Sequence, residues 1–184
     1  MAEATGTHIG SSGSASLALR AEPFRDVLSC LASGVVAVTA LDDGGRPLGL
    51  TVSSFVSVSL EPPLVLFCIA VTSRTWPRMR AADGICINIL SEDQHGVSVR
   101  LSSGGTEKFD DVAWTPSAGG MPVLHGALTW LECTVMDEYR AGDHDIVVSR
   151  VDRVAPATEG GPLIRHRGRY VRLAGHDTHK EVRR

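Results

Sequence analysis

Lysine, aromatic residues and long apolar runs are scarce in this 184-residue sequence. Lys108 and Lys180 are its only lysines, and the formal net charge is −3, so the charge gives no reason to expect a nucleic acid partner. No apolar stretch approaches the length of a membrane-spanning helix. The first 20 residues lack the basic start and continuous apolar segment of a secretory signal and are expected to form a flexible tail.

Cysteine and histidine patterns argue against a disulfide framework and against a metal site. The four cysteines contain no C-x-x-C pair, and three of them, Cys68, Cys86 and Cys133, lie in apolar runs where Cys behaves as a small buried residue. This usage predicts a reduced, cytoplasmic protein. The seven histidines are scattered without the spacing of metal ligands, so metal binding is not expected.

The usual motifs for nucleotide binding and hydrolysis are also missing. The sequence has no G-x-G-x-x-G after a strand, no P-loop and no G-x-S-x-G elbow. Its one evident base for a serine nucleophile is His144, with Asp143 or Asp145 beside it, and no motif places a serine there. A Rossmann enzyme, a P-loop enzyme and a serine hydrolase are therefore all disfavoured.

The most informative segment that is present is GLTVSSFVSVSLEPPL, residues 49–64. Apolar and hydroxyl residues alternate strictly from Leu48 to Leu60, which predicts a strand, except that Ser54 lies on the apolar face and Phe55 on the polar one. Such a break indicates a bulge that re-aims side chains towards a ligand. Neutral donors suit a phosphate and a hydrogen-bonding ring; a half-exposed strand facing water is the alternative interpretation.

The pattern of most of the remaining chain also predicts strands. We predict strands at 35–41, 64–70, 85–90, 127–139, 145–154 and 169–173, with 64–70 buried on both faces. Helices are predicted at 23–32, at 72–82 and from a Ser91–Gln94 capping box to about Leu101. Residues 102–120 form a long polar loop that suggests function. The pattern favours a closed antiparallel barrel with peripheral helices, in one domain over 21–174 between tails at 1–20 and 175–184.

Seven segments in order resemble the short-chain flavin reductases, the flavin reductase-like domain of two-component monooxygenases. They are FRDVLSCLASGVVAVTA, GLTVSSFVSVSLEPPLVLFCIA, ICINILSEDQ, EKFDDVAW, GMPVLHGALTWLECTV, AGDHDIVVSRV and PLIRHRGRYVRL. The resemblance covers about residues 24–173. It implies a mostly β, split β-barrel homodimer that binds FMN or FAD and reduces the flavin with NADH or NADPH. Reduced flavin would pass to a partner flavin-dependent monooxygenase.

The resemblance also implies which residues contact the cofactors. The flavin-binding residues would be Thr51, Val52, Ser53, Ser54, Cys68, Ile69, Ala70, Ser73, Thr75, Lys108 and Phe109. Val52 stands where the family usually has alanine and would tighten the ring pocket. Lys108 would neutralise the flavin phosphate, and Phe109 would anchor the loop or stack near an adenine. Ser73 and Thr75 could equally be simple helix caps.

The resemblance assigns two further residues to binding of the nicotinamide nucleotide. His144, in a Gly-Asp-His turn similar to that of the family, would contact the nicotinamide ring, and Tyr170 is a candidate stacking residue. Hydride transfer to flavin needs orientation and electrostatics from the protein but no side-chain acid or base, so no catalytic residue is expected. We expect NADH over NADPH and leave FAD and FMN both open.

Two other functions fit the same architecture. A flavin-binding electron carrier or storage protein would keep its flavin tightly and turn over NADH slowly. An oxidase similar to pyridoxamine-phosphate oxidase would need a basic cluster at the barrel mouth, which only the stretch from Arg165 to Arg172 could supply.

Overall fold

Antiparallel strands dominate the computed structural model, which describes residues 21–105 and 107–173. The predicted tails at 1–20 and 175–184 lie outside the described residues. The helices are α1 (Ala21–Ser29), α2 (Trp76–Met79) and α3 (His95–Ser102). The strands are β1 (Ser33–Gly34), β2 (Val36–Leu41), β3 (Pro47–Val52), β4 (Val56–Leu60), β5 (Pro63–Ala70), β6 (Ile85–Ile89), β7 (Trp114–Pro116), β8 (Pro122–Leu124), β9 (Thr129–Ala141), β10 (His144–Val154), β11 (Ile164–His166) and β12 (Arg169–Val171).

A seven-stranded sheet in the order β3-β2-β6-β9-β10-β5-β4 forms the body of the fold. Its two outer strands, β3 and β4, are joined by only three residues, 53–55. Three connecting residues span at most about 15 Å, so the sheet must curl until its two edges almost meet. The result is a mostly β, barrel-like sheet with a seam where β3 passes into β4.

The interior of the curled sheet is filled by apolar side chains from six of its strands and from α2. Phe67 and Ile87 are fully buried there, and Trp76 and Met79 of α2 close one end. The Trp76 ring meets the Phe67 ring edge-on, with centroids 5.5 Å apart. A second apolar cluster, which includes Leu90 and Leu101, packs α3 and the loop after it against the sheet. Burial of these two clusters supplies the main driving force for folding.

The 48–60 segment differs from its prediction. It is not one strand with a bulge: β3 ends at Val52, β4 begins at Val56, and the two lie at opposite edges of the sheet. Ser54 and Phe55, the two residues that break the alternation, lie in the crossing between those edges. Leu48 and Leu50 are buried, whereas Leu60 at the end of β4 is exposed, because the alternation of β4 points its apolar residues away from the interior.

Three further expectations need correction. Residues 64–70 are not buried on both faces: Val65, Phe67 and Ile69 are buried, but the residues between them are only half-buried in this chain. The predicted helix at 72–82 is a single turn, α2, because the chain before it forms a turn at the end of β5. The loop at 102–120 contains a short strand, β7, paired with β8. Among the described residues, no helix is long and apolar enough to cross a membrane.

Candidate functional site

A cavity of about 800 Å³ opens at the seam of the sheet, a size typical of ligand and cofactor sites. Its walls come from the end of β3, the crossing at 53–55, the end of β5, the turn before α2, the loop after α3 and the start of β10. Eleven of the thirteen predicted site residues line it: Thr51, Val52, Ser53, Ser54, Cys68, Ile69, Ala70, Ser73, Thr75, Lys108 and His144. The fold therefore gathers residues that are up to 93 positions apart in the sequence, from Thr51 to His144.

The crossing segment is fixed to β5 by one side chain. The Ser54 hydroxyl accepts a hydrogen bond from the Cys68 amide at 2.8 Å and lies 3.3 Å from the Cys68 carbonyl, to which it donates. Ser54 therefore takes the place of a missing backbone partner where the sheet is open. The two walls of the cavity, β3 with its crossing and β5, are held together at this point.

Ser73 and Thr75 shape the turn between β5 and α2. The Ser73 hydroxyl accepts the Trp76 amide at 3.2 Å, as expected for a helix cap. Its own proton remains available to donate into the cavity. Because α2 has only one turn, it contributes little helix dipole to a phosphate here.

Lys108 brings a half-buried ammonium group into the cavity lining beside Gly49 of β3. Its Nζ donates to the Leu101 carbonyl at 2.9 Å, and to the Gly49 carbonyl and the Thr75 hydroxyl at 3.3 Å each. Burial lowers the pKa of this ammonium, because the charged form has lost hydration. Its partners are neutral oxygens, so the charge remains free to attract an anion.

Two arginines that were not among the predicted site residues also line the cavity. Arg74 is exposed at the mouth, and Arg78 extends from α2, where its Nη2 donates to Asp42 at 2.9 Å. The sequence RTWPR places both within three residues of Thr75, but nothing in it distinguishes them from solvated arginines. Together with Lys108 they make one end of the cavity strongly basic.

Phe109 does not line the cavity. Its ring packs against Gly49, where an added Cβ would come within 2.9 Å of the Phe109 Cζ. Phe109 belongs to the second apolar cluster and fastens the loop on which Lys108 lies. The structure thus favours the anchoring role over stacking on an adenine.

His144 is the first residue of β10 and is paired with Ala70 at the end of β5. The turn before it requires glycine, since Gly142 has φ of 68°, in the left-handed region. The Nδ1 atom of His144 lies 2.7 Å from the Asp143 carboxylate, and this hydrogen bond lowers the pKa of Asp143. Asp143 thereby fixes the ring orientation of a half-exposed histidine at the cavity rim.

Tyr170 is not brought to this cavity. Its hydroxyl lies 2.9 Å from the Ser98 hydroxyl, and its ring meets His95 edge-on with centroids 4.5 Å apart. The basic stretch from Arg165 to Arg172 does not line the cavity either. The phosphate cluster that an oxidase similar to pyridoxamine-phosphate oxidase would need at this mouth is therefore not supplied by that stretch.

The sequence profile of the flavin reductase-like domain matches residues 28–174. The chain belongs to this flavin reductase-like family. It is 39% identical over 150 residues to HsaB, the reductase subunit of a flavin-dependent monooxygenase from Mycobacterium tuberculosis, covering 80% of each protein. This relative supports the family assignment along most of the described chain.

Solved structures of other flavin reductase-like proteins share the fold. Nitrilotriacetate monooxygenase component B from Mycobacterium thermoresistibile superposes with a TM-score of 0.83 and 36% identity, over 88% of this chain and 91% of that one. The NADH:FAD oxidoreductase SgcE6 of Streptomyces globisporus, solved with NAD and FAD fragments, gives a TM-score of 0.82 and 29% identity, over 89% and 100%. The predicted mostly β, flavin reductase-like fold is confirmed.

Proposed function

We propose that this protein is an NADH-dependent flavin reductase that supplies reduced FAD or FMN to a partner monooxygenase. The observation that carries the proposal is the single cavity that gathers the hydroxyl-rich crossing, the end of β5, Lys108 and His144. Family membership and the relatives named above as monooxygenase reductase subunit and NADH:FAD oxidoreductase support it. The partner monooxygenase, and not this reductase, would determine which substrate is oxidised.

The residues of the cavity fit a flavin. Lys108, Arg74 and Arg78 form a basic end that suits the phosphate, while Thr51, Ser53 and other neutral donors line the rest. Lys108 bonds to Gly49, and four residues of extended strand, about 13 Å, separate Gly49 from Ser53 at the crossing. The basic end and the crossing therefore lie far enough apart for phosphate and ring to occupy opposite ends of the cavity.

The chain's own groups position the reactants and leave the electron chemistry to the cofactors. A bound flavin accepts a hydride from a dihydronicotinamide. Cys68, Ile69 and Ala70 provide a wall for the ring, and the backbone of the crossing offers hydrogen bonds to its polar edge. His144 borders the same end and is oriented by Asp143, so it can hold a nicotinamide beside the flavin. Such a reaction needs no buried acid or base with a strongly shifted pKa in the cavity.

A homodimer is part of the proposal. The outer face of β4, β5, β10 and the adjoining end of β9, opposite the core, is apolar and half-exposed in the single chain. Two cross-strand rows make up this face: Val56, Leu66 and Val148, and then Tyr139, Ile146 and Cys68. An apolar sheet face of this kind is typical of a protein interface. Since Cys68 also lines the cavity, a second copy on this face would complete the flavin site.

We place the protein in the cytoplasm, where its free cysteines stay reduced and NADH is available. The folded unit would comprise residues 21–174.

The first test is loss of NADH absorbance when purified protein is mixed with NADH and FMN or FAD, with NADPH run in parallel. Rapid multiple turnover that requires added flavin is expected for a reductase with diffusible flavin. Tight flavin binding without turnover would contradict it and favour the electron carrier. Light scattering with dilution then tests the dimer: flavin affinity is expected to fall at concentrations where the dimer dissociates. A monomer with unchanged flavin affinity would contradict the dimeric site.

A further inference from the structure

Arg78 on α2 and Arg80 at the C-cap of that helix are each bound by a carboxylate. Arg78 Nη2 lies 2.9 Å from an oxygen of Asp42, in the turn between β2 and β3, and Arg80 Nη1 lies 3.3 Å from an oxygen of Glu138 on β9. Of the two arginines only Arg78 lines the cavity at the seam, which we call the flavin cavity. The carboxylate that holds Arg78 can therefore affect how this cavity binds a ligand.

Asp42 is held in place by the turn itself. Its Oδ1 accepts hydrogen bonds from the Gly44 amide at 3.0 Å and from the Arg46 amide at 2.9 Å. Its Oδ2 lies 3.2 Å from Arg46 Nε and 2.9 Å from Arg78 Nη2. The hydrogen bond from the Arg46 amide contributes most to lowering the pKa of Asp42, so the carboxylate is ionised at neutral pH. The turn thus presents a fixed anionic oxygen to Arg78.

Arg78 and Lys108 are both tied to Thr75, a residue of the cavity wall. The Arg78 amide donates to the Thr75 carbonyl at 3.1 Å, and Lys108 Nζ donates to the Thr75 hydroxyl at 3.3 Å. All three residues line the flavin cavity. An anion bound beside Thr75 would have both positive charges as neighbours, so Arg78 and Lys108 suit the same phosphate group.

The Arg78 guanidinium is a rigid planar group with five N–H donors, one of which donates to Asp42. The side chain is 45% exposed, so without a partner it would sample many rotamers and would have to be ordered when a phosphate binds. Because Asp42 orders it in advance, the remaining donors are positioned before the phosphate arrives. The negative charge of Asp42 opposes phosphate binding only weakly, since Arg46 shares the carboxylate and solvent screens exposed charges.

We propose that Asp42 is a positioning residue of the flavin cavity: from a turn outside the cavity lining, it holds the Arg78 guanidinium ready for the flavin phosphate. The proposal rests on the flavin reductase function argued above and adds a source of selectivity to it. Flavins with a phosphate, FMN and FAD, would gain affinity from the Asp42–Arg78 pair, whereas riboflavin would not. Asp42 acts through Arg78 and does not itself line the cavity.

The test compares FMN with riboflavin, which has the same ring but no phosphate, by fluorescence titration of the flavin. The first variant is Asp42→Asn; asparagine keeps the acceptor that the turn needs and loses the charged oxygen that binds Arg78. We expect its Kd for FMN to rise about threefold to tenfold and its Kd for riboflavin to stay the same. Arg78→Gln should raise the Kd for FMN about tenfold, and adding Asp42→Asn to it should raise the Kd no further.

Glu138→Gln is the matched control. It releases Arg80 from a carboxylate as Asp42→Asn releases Arg78, but neither Glu138 nor Arg80 lines the cavity, so both flavins should bind as in the wild type. Arg78→Lys keeps the positive charge but cannot span carboxylate and phosphate with one rigid group. It should also raise the Kd for FMN, and it tests the proposal independently of how the turn tolerates asparagine.

The direction of the change separates the alternatives. Tighter FMN binding by Asp42→Asn would show that the carboxylate only competes with the phosphate for Arg78. An equal loss for FMN and riboflavin would assign Asp42 to the stability of the turn, and a further loss in the Arg78→Gln background would mean that it acts through another group. Each of these results overturns the inference, as would an unchanged Kd for FMN. A wild-type protein that binds FMN but does not oxidise NADH with it would instead contradict the proposed function.

Discussion

Ser54 and Cys68 form a side-chain link across the seam that the cavity occupies. The Ser54 hydroxyl accepts the Cys68 amide at 2.8 Å and donates to the Cys68 carbonyl at 3.3 Å. A hydroxyl can fill both roles because it carries a donor and two acceptor lone pairs. The serine that interrupts the alternation of the sequence therefore closes the sheet where the backbone ladder stops.

Ser54→Ala should loosen the crossing and widen the flavin cavity. Loss of this pair of hydrogen bonds, with the Cys68 amide left unsatisfied, is expected to cost about 1–3 kcal/mol in the free energy of unfolding and to weaken flavin binding. Urea denaturation and fluorescence titration with FMN measure the two effects. Ser57→Ala, an exposed hydroxyl of β4, is the control and should change neither. Equal behaviour of the two variants would contradict the role of Ser54.

Lys108→Gln tests the basic end of the cavity. The Kd for FMN should rise about tenfold or more, because a charged hydrogen bond to phosphate is lost, while the Kd for riboflavin, which has no phosphate, should stay the same. An equal loss for both flavins would show that Lys108 only supports the loop.

Lys108 should also make FMN binding depend on pH. Burial lowers its pKa below the usual 10.5, so the ammonium is neutralised at a lower pH than an exposed lysine. The wild-type Kd for FMN is therefore expected to rise as the pH climbs through that lowered pKa, and the Lys108→Gln variant should not follow it. The stability of the flavin-free protein should change with pH in the opposite sense to flavin affinity. Its free energy of unfolding should increase as the pH rises through the lowered pKa, because the unfolded chain holds that proton more tightly.

The elements that the sequence predicted well are those whose pattern is local. The strands at 35–41 and 85–90 lie within about a residue of their predicted bounds. The Gln94 side chain accepts the Ser91 amide at 3.0 Å, as the predicted capping box requires, but the helix begins only at His95 and its N-cap is Gln94 instead of Ser91. Periodicity and capping act over a few residues, and a single sequence records both.

The errors arose where long-range contacts decide the structure. The alternation from Leu48 to Leu60 is real, but periodicity cannot tell that the chain changes edge at 53–55 while keeping the same spacing. Tyr170 looked free to stack on a nucleotide, yet Ser98, 72 residues away, binds its hydroxyl. The arginines at 74 and 78 were overlooked because nothing local distinguishes an arginine beside a cavity from a solvated one.

Glu132 offers a test of stability away from the cavity. This buried carboxylate of β9 accepts hydrogen bonds from Ser117, from the Gly119 amide at 2.9 Å and from Arg153 at 2.7 Å. Desolvation raises the pKa of Glu132, but the hydrogen bonds and the charge of Arg153 together lower it by more, so the net pKa lies below 4.5. The ionised carboxylate therefore stabilises the fold.

Glu132→Gln should cost about 1–3 kcal/mol in the free energy of unfolding at pH 7, because charged hydrogen bonds are replaced by neutral ones. A group with a depressed pKa in the folded state loses its contribution as the pH falls through that pKa, so the difference between variant and wild type should shrink below about pH 4.5. Denaturation curves at pH 7 and pH 4 measure this. Glu138→Gln, at a half-buried position of the same strand with a more exposed ion pair to Arg80, should cost less than about 1 kcal/mol.

His144→Ala separates binding of the two cofactors. His144 lines the cavity at the start of β10 and is oriented by Asp143, whereas Lys108 lines it beside Gly49 of β3. Under anaerobic single-turnover conditions, hydride transfer from NADH should slow about tenfold or more, the cost of one misplaced contact in a near-attack geometry, with the Kd for FMN changed less than twofold. Exposed His125, outside the lining, serves as the control variant, His125→Ala. NADH kinetics equal to those of the wild type would remove the nicotinamide role from His144, and a large rise in the Kd for FMN would assign it to the flavin instead.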